Sequence, residues 1–337
     1  MKIIIDAMGG DNAPDEIVKG AVEAAKKYNC EIILTGKSEE IYRALAITKD
    51  SDLPQGIEIV NTTEVIDIED DPATVIRQKK DSSMVIGLNL LRDGKGDAFV
   101  SAGSTGALLS GATLLVKRIR GIRRAALAPY IPNSATGFIL IDCGANVDCT
   151  PEYLLQFAYM GSYYAQDVLS LSNPRIGILN NGTEPSKGTA LQLETYQLLS
   201  KANDEGRLNF VGNVEPSDAM KGVCDVLVCD GFSGNVFLKT VEGTAKLIMS
   251  EFKSVFYKNI ITKISALMVK KHLGVLRNKM NPDAIGGTAL LGISKPVIKA
   301  HGSSKASAIT SAVNQAITAI NANTATRLAD NIDKMKL

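Results

Sequence analysis

Short apolar runs recur along this chain, and most are closed by a turn of Gly, Asp, Asn or Ser. Ile3 to Ile5 run into Asp6-Ala7-Met8-Gly9-Gly10-Asp11, and Ile32-Ile33-Leu34 into Thr35-Gly36. Ile57-Glu58-Ile59-Val60 follows, and then Asp97 to Ser101, which opens into Ala102-Gly103-Ser104-Thr105-Gly106. Phe138 to Ile141 lead to Asp142-Cys143-Gly144-Ala145-Asn146, Arg175 to Leu179 to Asn180 through Gly188, and Val226 to Cys229 to Asp230-Gly231-Phe232-Ser233-Gly234-Asn235. Val297 to Ala300 is the last, before His301-Gly302-Ser303-Ser304. Runs this continuous read as strands buried on both faces of a parallel sheet. Between them lie helical stripes, such as Ile17, Val18, Ala21, Ala24 and Ala25, or Leu191, Leu193, Tyr196, Leu198 and Leu199. The alternation predicts an α/β protein with an open, mostly parallel sheet and helices on both faces.

Several helix boundaries are predicted as well. Pro14 suits a first helical turn capped by Asn12 or Ala13, and the Ser82-Ser83 pair a helix start after the basic run Arg77 to Lys80. Ser303 or Ser304 is expected to cap a last helix through Ala308, Val313 and Ile317, with a fraying polar end from Asn321.

In an open parallel sheet the carboxyl ends of the strands share one edge, and ligands bind there. Five small-residue turns arriving together therefore argue for a built site. In the turn Asn181-Gly182-Thr183-Glu184-Pro185-Ser186-Lys187, one lysine stands at an expected helix start, where backbone N–H groups and a cation suit an anion. An ordinary turn with a solvated Lys187 fits that stretch equally well. The turn from Ser101 to Gly106 offers hydroxyl and N–H groups without a cation. His301, at a strand end, suits either a catalytic group or a loop held by hydrogen bonds.

Composition narrows the classes. The 337 residues are 45% hydrophobic and 22% charged with a net charge of +1, enough for one large unit spanning 1–337 or two lobes, with no field to attract nucleic acid. Tryptophan is absent and aromatics are 5%, which argues against base stacking. The five cysteines, Cys30, Cys143, Cys149, Cys224 and Cys229, lack metal-ligand spacing and read as buried thiols of a cytosolic protein. No metal-ligand cluster, Walker lysine motif or nucleophile elbow appears. Residues 252–282 carry no acidic residue but hold Lys253, Lys258, Lys263, Lys270, Lys271, Arg277 and Lys279. With Ile260, Ile264, Leu267 and Met268 at helical spacing, the segment reads as a basic amphipathic helix, broken at Gly274, that lies on an anionic membrane or packs on protein. From the residues alone, the inference is a ligand bearing phosphate; the reaction does not follow.

Asp6-Ala-Met-Gly-Gly-Asp11, Ser101-Ala-Gly-Ser-Thr-Gly-Ala107, Asp142-Cys-Gly-Ala-Asn146, Gly182-Thr-Glu with Lys187-Gly188, Asp230-Gly-Phe-Ser-Gly-Asn235 and Lys299-Ala-His-Gly-Ser-Ser304 resemble, in order and over almost the whole chain, the bacterial phosphate acyltransferases of phospholipid synthesis (the PlsX family). Ser104 stands where that family more often has Asn. The resemblance implies transfer of a long-chain acyl group from acyl carrier protein to inorganic phosphate, giving acyl phosphate. It implies a fold like the phosphotransacetylases and the isocitrate and isopropylmalate dehydrogenases, and a homodimer. No metal or nucleotide cofactor goes with it. Location would be cytoplasmic with peripheral membrane contact, and a glycerol-3-phosphate acyltransferase could act downstream. On this resemblance Lys187 takes phosphate or oxyanion charge, while Asp230 and Asn235 stand at the reacting centre. Ser101, Gly103, Ser104, Thr105, Gly106, Asn146, Gly182, Thr183 and His301 bind phosphate or substrate. Lys263, Leu267, Met268, Lys270 and Lys271 face the membrane. The alternatives are a short-chain phosphate acyltransferase using acyl-coenzyme A, a decarboxylating dehydrogenase needing metal and nicotinamide, and a non-catalytic module that binds lipid or carrier protein.

Overall fold

The structure is a computed structural model and describes residues 1–47, 54–279 and 287–335. Its strands divide between two sheets. The first contains β1 (Lys2–Asp6), β2 (Glu31–Gly36), β3 (Ile57–Asn61), β4 (Ala98–Ser101), β5 (Ala126–Ala128), β11 (Thr288–Leu291) and β12 (Val297–Lys299), in the order β3-β2-β1-β4-β12-β11-β5. The five strands from β3 to β12 are parallel, and β11 runs antiparallel to both β12 and β5. The second contains β6 (Tyr130–Ile131), β7 (Phe138–Ile141), β8 (Arg175–Leu179), β9 (Asn209–Val214) and β10 (Val226–Val228), in the order β6-β7-β10-β8-β9. All but β6 are parallel. Mostly parallel strands flanked by helices agree with the alternation in the sequence; the division into two sheets is the refinement.

The continuous apolar runs are buried as the pattern requires. Ile3, Ile4, Ile5, Phe99, Val100, Phe138 and Val226 to Val228 expose no surface. Each large side chain buried this way contributes about 1.5–3 kcal/mol. The strand Tyr130–Ile131 follows β5 almost directly, so the chain passes from one sheet to the other at Pro129.

Several local expectations are corrected. The first helix, Asp15–Tyr28, has Pro14 at its N-cap without a side-chain cap, while the Asn12 amide donates to the Ser303 and Ser304 carbonyls. The last long helix, Ala306–Ala322, is capped by neither serine. Instead the Ala306 N–H donates to the Glu16 carboxylate at 2.7 Å, so the first helix caps the last. The described residues after Asn321 do not fray. Thr324–Asp330 and Ile332–Met335 dock with Leu328 and Met335 buried, and Asp167 accepts from Thr324 and Arg327. The helix Ile260–Lys279 runs through Gly274 unbroken. The Ser82 hydroxyl does cap its helix, accepting from the Val85 N–H. Residues 280–282 of the expected basic segment, and the side chains of Lys270 and Lys271, lie outside the described part.

Candidate active site

The carboxyl ends of the two sheets face a shared cavity of about 670 Å³, within the ~300–1,000 Å³ usual for small-molecule sites. One rim belongs to the first sheet. Lys299 pairs in register with Ser101 across β12 and β4, and β1 lies on the other side of β4. The buried Asp6 carboxylate accepts from the Ser101 hydroxyl at 2.7 Å and from the Met8 N–H, and the Gly103 N–H donates in turn to the Ser101 oxygen at 3.0 Å. The Asp6 carboxylate fills the space beside Gly9: a β-carbon there would sit 2.5 Å from its oxygen, which is why the turn needs glycine. Burial pushes the Asp6 carboxyl above its ordinary value, against the pull of the Ser83 and Ser101 hydroxyls.

Lys299 lies in the cavity wall, with its Nζ donating to the Ala102 and Ala300 carbonyls. Burial pushes its pKa down to about 8, with the Asp6 and Asp11 carboxylates acting the other way and the Lys239 ammonium reinforcing the fall. An ammonium seated among carbonyls at the floor of a cleft has lost most of its water, so an anion reaching it meets an attraction little screened by solvent. Beside it, His301 Nδ1 accepts from the Ser303 N–H at 3.2 Å and lies 2.8 Å from the Ser303 hydroxyl. The neutral ring so arranged carries its proton on Nε2, a tautomer assigned from its partners. Burial, and then the ammonium of Lys239, hold His301 below its ordinary pKa.

The other rim belongs to the second sheet. The Asp142 carboxylate is fully buried and accepts from the N–H groups of Cys143 (2.6 Å), Asn146 (2.6 Å) and Leu127 (2.8 Å), and from the Asn146 amide (3.0 Å). The Asn146 amide also reaches the Ala125 carbonyl. Since Leu127 belongs to β5 and Asp142 follows β7, these bonds tie the two sheets together beneath the cavity. Against this turn packs the helix Gly231–Phe256, called here the site helix. A β-carbon at Gly234 would lie 2.0 Å from the Asp142 carbonyl, so only glycine allows the approach. Asp230 caps this helix, accepting from the Ser233 N–H at 2.8 Å and the Ser233 hydroxyl at 2.7 Å.

The structure gathers the expected residues unevenly. Thr105, Asn235 and His301 line the cavity. Ser101 and Gly103 stand behind it in the Asp6 network, and the Ser104 hydroxyl caps Thr105–Gly111, whose first N–H groups at Thr105 and Gly106 have no place in the helical ladder. Gly106 packs against Pro72. Asn146 holds the sheet junction. Gly182 is buried, while Thr183 and Lys187 are exposed on a turn that does not line the cavity. Lys187 does not begin a helix: Thr189 is the N-cap of Ala190–Asp204, in a capping box with Gln192. No ion pair joins Lys187 to Asp230 among the described residues. Lys299, Lys239 and Glu242 line the cavity without having been expected there, Lys239 paired with Glu242 at 2.9 Å. The sequence signal for Lys299 was its place just before His301-Gly302-Ser303-Ser304 at a strand's end. Among the described residues no three metal-ligating side chains converge. Cys30, Cys143, Cys224 and Cys229 are buried, free thiols, and burial pushes Cys143 and Cys224 up to about 12.

Comparison with known proteins adds the chemistry. Residues 1–327 match the family model described as "Fatty acid synthesis protein". The chain is 46% identical over 320 residues to a phosphate acyltransferase of Thermoanaerobacterium thermosaccharolyticum, covering 95% of this chain and 93% of that one. It is 49% identical over 318 residues to a phosphate acyltransferase of Alkaliphilus oremlandii, covering 94% and 93%. The chain belongs to the phosphate acyltransferase family. It is an acyltransferase. Among solved structures, a phosphotransacetylase from Streptococcus pyogenes superposes with a TM-score of 0.61 at 22% identity, over 96% of this chain and 94% of that one. A 4-hydroxythreonine-4-phosphate dehydrogenase from Klebsiella pneumoniae gives 0.54 at 12%, over 94% and 98%. At these identities the likeness concerns the fold, which agrees with the phosphotransacetylase-like and dehydrogenase-like architecture expected of this phosphate acyltransferase.

Proposed function

We propose that this phosphate acyltransferase takes a long-chain acyl group from acyl–acyl carrier protein, passes it to inorganic phosphate, and supplies acyl phosphate to phospholipid synthesis. The observation that carries the reading is Lys299, a desolvated cation between the ends of β4 and β12 in a cavity that also presents Thr105, Asn235 and His301. Phosphate sits against Lys299 and the opening N–H groups of Thr105 and Gly106, as an anion at a helix start does. A phosphate oxygen attacks the thioester carbonyl, the C–O bond forms, the C–S bond breaks, and the carrier thiolate leaves and takes a proton. Holding the two reactants in line supplies several kcal/mol of rate acceleration. Donors at the oxyanion contribute roughly 3–4 kcal/mol each, and Asn235 and the Nε2–H of His301 suit that task. Lys187, exposed on the turn after β8 and outside the cavity lining, is the second cation of this reading and meets the incoming phosphate or acidic carrier. The Asp230 carboxylate acts by fixing the site helix on which Asn235 stands.

The helices Gly231–Phe256 and Ile260–Lys279 support a peripheral membrane contact. Ile260, Ile261, Ile264, Leu267 and Met268 are 56–80% exposed, with Lys263 among them. No described helix is long and apolar enough to cross a membrane. Delivery of an amphiphilic acyl phosphate at an anionic bilayer, by a cytoplasmic homodimer and to a glycerol-3-phosphate acyltransferase, completes the proposal.

The test is purified protein with palmitoyl–acyl carrier protein, with and without inorganic phosphate, following free carrier protein. Phosphate-dependent release, lost in Lys299→Ala and reduced in Lys187→Ala, is the expected result. Release only from short-chain coenzyme A thioesters would replace the donor, and release from neither would leave the reading without support.

A further inference from the structure

The cavity is lined by charged groups and by a larger number of apolar side chains, and phosphate accounts only for the former. From Asn235, the site helix presents Leu238, Val241 and Ala245 to the cavity at i, i+3 and i+4 spacing, so they form one continuous stripe. The same lining includes Pro129, Ile131 and Met220. Proline has no N–H to offer a polar ligand, and methionine adapts its shape to an apolar one. Tyr130, in the same wall, spends its hydroxyl on the Thr136 carbonyl at 2.8 Å. Of the remaining polar residues in the lining, Lys239 and Glu242 pair with each other at 2.9 Å, and Asn133 spends its amide on the Ala219 carbonyl and its oxygen on the Ala135 and Gly137 N–H groups. Apart from Ser134, what the stripe and its neighbours leave for a ligand is therefore hydrocarbon.

Resting on the acyl-transfer reading, we infer that the acyl chain of the substrate lies in this groove, from the reacting centre at Asn235 outward along the site helix to Ala245. Length supports that occupant. Ten residues of helix advance about 15 Å. An extended alkyl chain, with C–C bonds of about 1.5 Å at near-tetrahedral angles, covers this with about twelve carbons. A ligand with a reactive polar head and an unbranched apolar tail matches a cavity that joins Lys299 and His301 to a continuous apolar stripe. Ala245, the smallest side chain of the stripe, marks the point where a long chain passes and a short one has already ended.

The experiment is the chain-length profile of Ala245→Trp and Val241→Phe with octanoyl-, dodecanoyl- and palmitoyl–acyl carrier protein, each at saturating phosphate. A thermal melt and sedimentation accompany each variant, and Thr244→Trp, on an exposed position of the same helix, is the control. Palmitoyl transfer by Ala245→Trp falls about tenfold, the ratio expected for roughly two buried methylenes lost, while octanoyl transfer is kept. Val241→Phe, nearer the reacting centre, moves the cut-off to a shorter chain. Thr244→Trp leaves the profile as it was. A wild-type enzyme that transfers no acyl group from any of these donors overturns the acyl-transfer reading itself. A working wild type with an unchanged profile in both groove variants overturns the groove assignment alone. A loss uniform across chain lengths, with a changed sedimentation coefficient, gives this face to a second copy of the chain and overturns it too.

Discussion

At the scale of single residues, Lys299 carries a cost that the proposed phosphate would offset. Its pKa of about 8 lies below the ordinary lysine value because burial penalises the ammonium. The unfolded chain therefore binds the proton more tightly, so this residue destabilises the fold below about pH 8, and stability recovers as pH rises from there towards the ordinary value. At neutral pH the cost is on the order of 3 kcal/mol. Lys299→Met is expected to raise the melting temperature at neutral pH while abolishing saturation by phosphate, which differential scanning calorimetry and initial rates would check together. In the wild type, kcat/KM for phosphate should fall as pH rises through about 8, because this ratio reports the free enzyme and the cation is lost there. A descending limb that survives in Lys299→Met would assign it to another group. Lys187 drew attention in the sequence because it sits in a polar turn, whereas Lys299 fell inside the expected strand Val297 to Ala300. What separates them is strand order: β12 lies between β4 and β11. Lys299 therefore meets Ser101 across nearly 200 positions of chain, and composition cannot report which strands become neighbours.

At the scale of elements, the start of the site helix decides how Asp230 should be read. Both of its oxygens are engaged by Ser233, which is the work of an N-cap. Asp230→Ala should cost about 1 kcal/mol of stability, and Asp230→Asn only a few tenths, since asparagine caps nearly as well. Turnover in Asp230→Asn is expected to stay near normal. A variant that melts like the wild type but transfers no acyl group would return Asp230 to the reacting centre. Eight of the twelve described strands were legible because each is an apolar run ending in a turn residue, while Ala126–Ala128, Tyr130–Ile131, Asn209–Val214 and Thr288–Leu291 were not read as strands; the Ser82 cap was legible from its hydroxyl. The cap of the last helix was not, because Glu16 supplies it from the other end of the chain. The docking of residues 324–335 was hidden for a similar reason. The segment is polar overall, and its hold comes from Leu328, Met335 and the Asp167 contacts, which only the folded packing brings together.

At the scale of the whole molecule, the apolar stripe Ile260, Ile264, Leu267 and Met268 of the helix Ile260–Lys279 has no covering partner among the described residues. Leu267 is 70% and Met268 80% exposed, beside a run of lysines without acidic neighbours. On the proposed function this stripe enters a bilayer surface, with a second copy of the chain as the alternative occupant, and the two differ in their dependence on salt. The basic character favours the bilayer: each lysine near an anionic surface contributes about 1 kcal/mol, and that part fades within a Debye length as salt rises. Leu267→Asp with Met268→Asp should therefore lower the partition coefficient on phosphatidylglycerol vesicles by about tenfold or more, each side chain giving about 1.5–3 kcal/mol when buried. Charge reversal at Lys270 and Lys271 should lower it by about tenfold or more on anionic vesicles, with little effect on neutral ones. Acyl transfer from a soluble donor should persist in both variants, since neither Leu267 nor Met268 lines the cavity at the sheet ends. If vesicle binding is unchanged while sedimentation shows a dimer falling apart, the stripe belongs to the partner copy, and the lysines only keep the assembled surface in water.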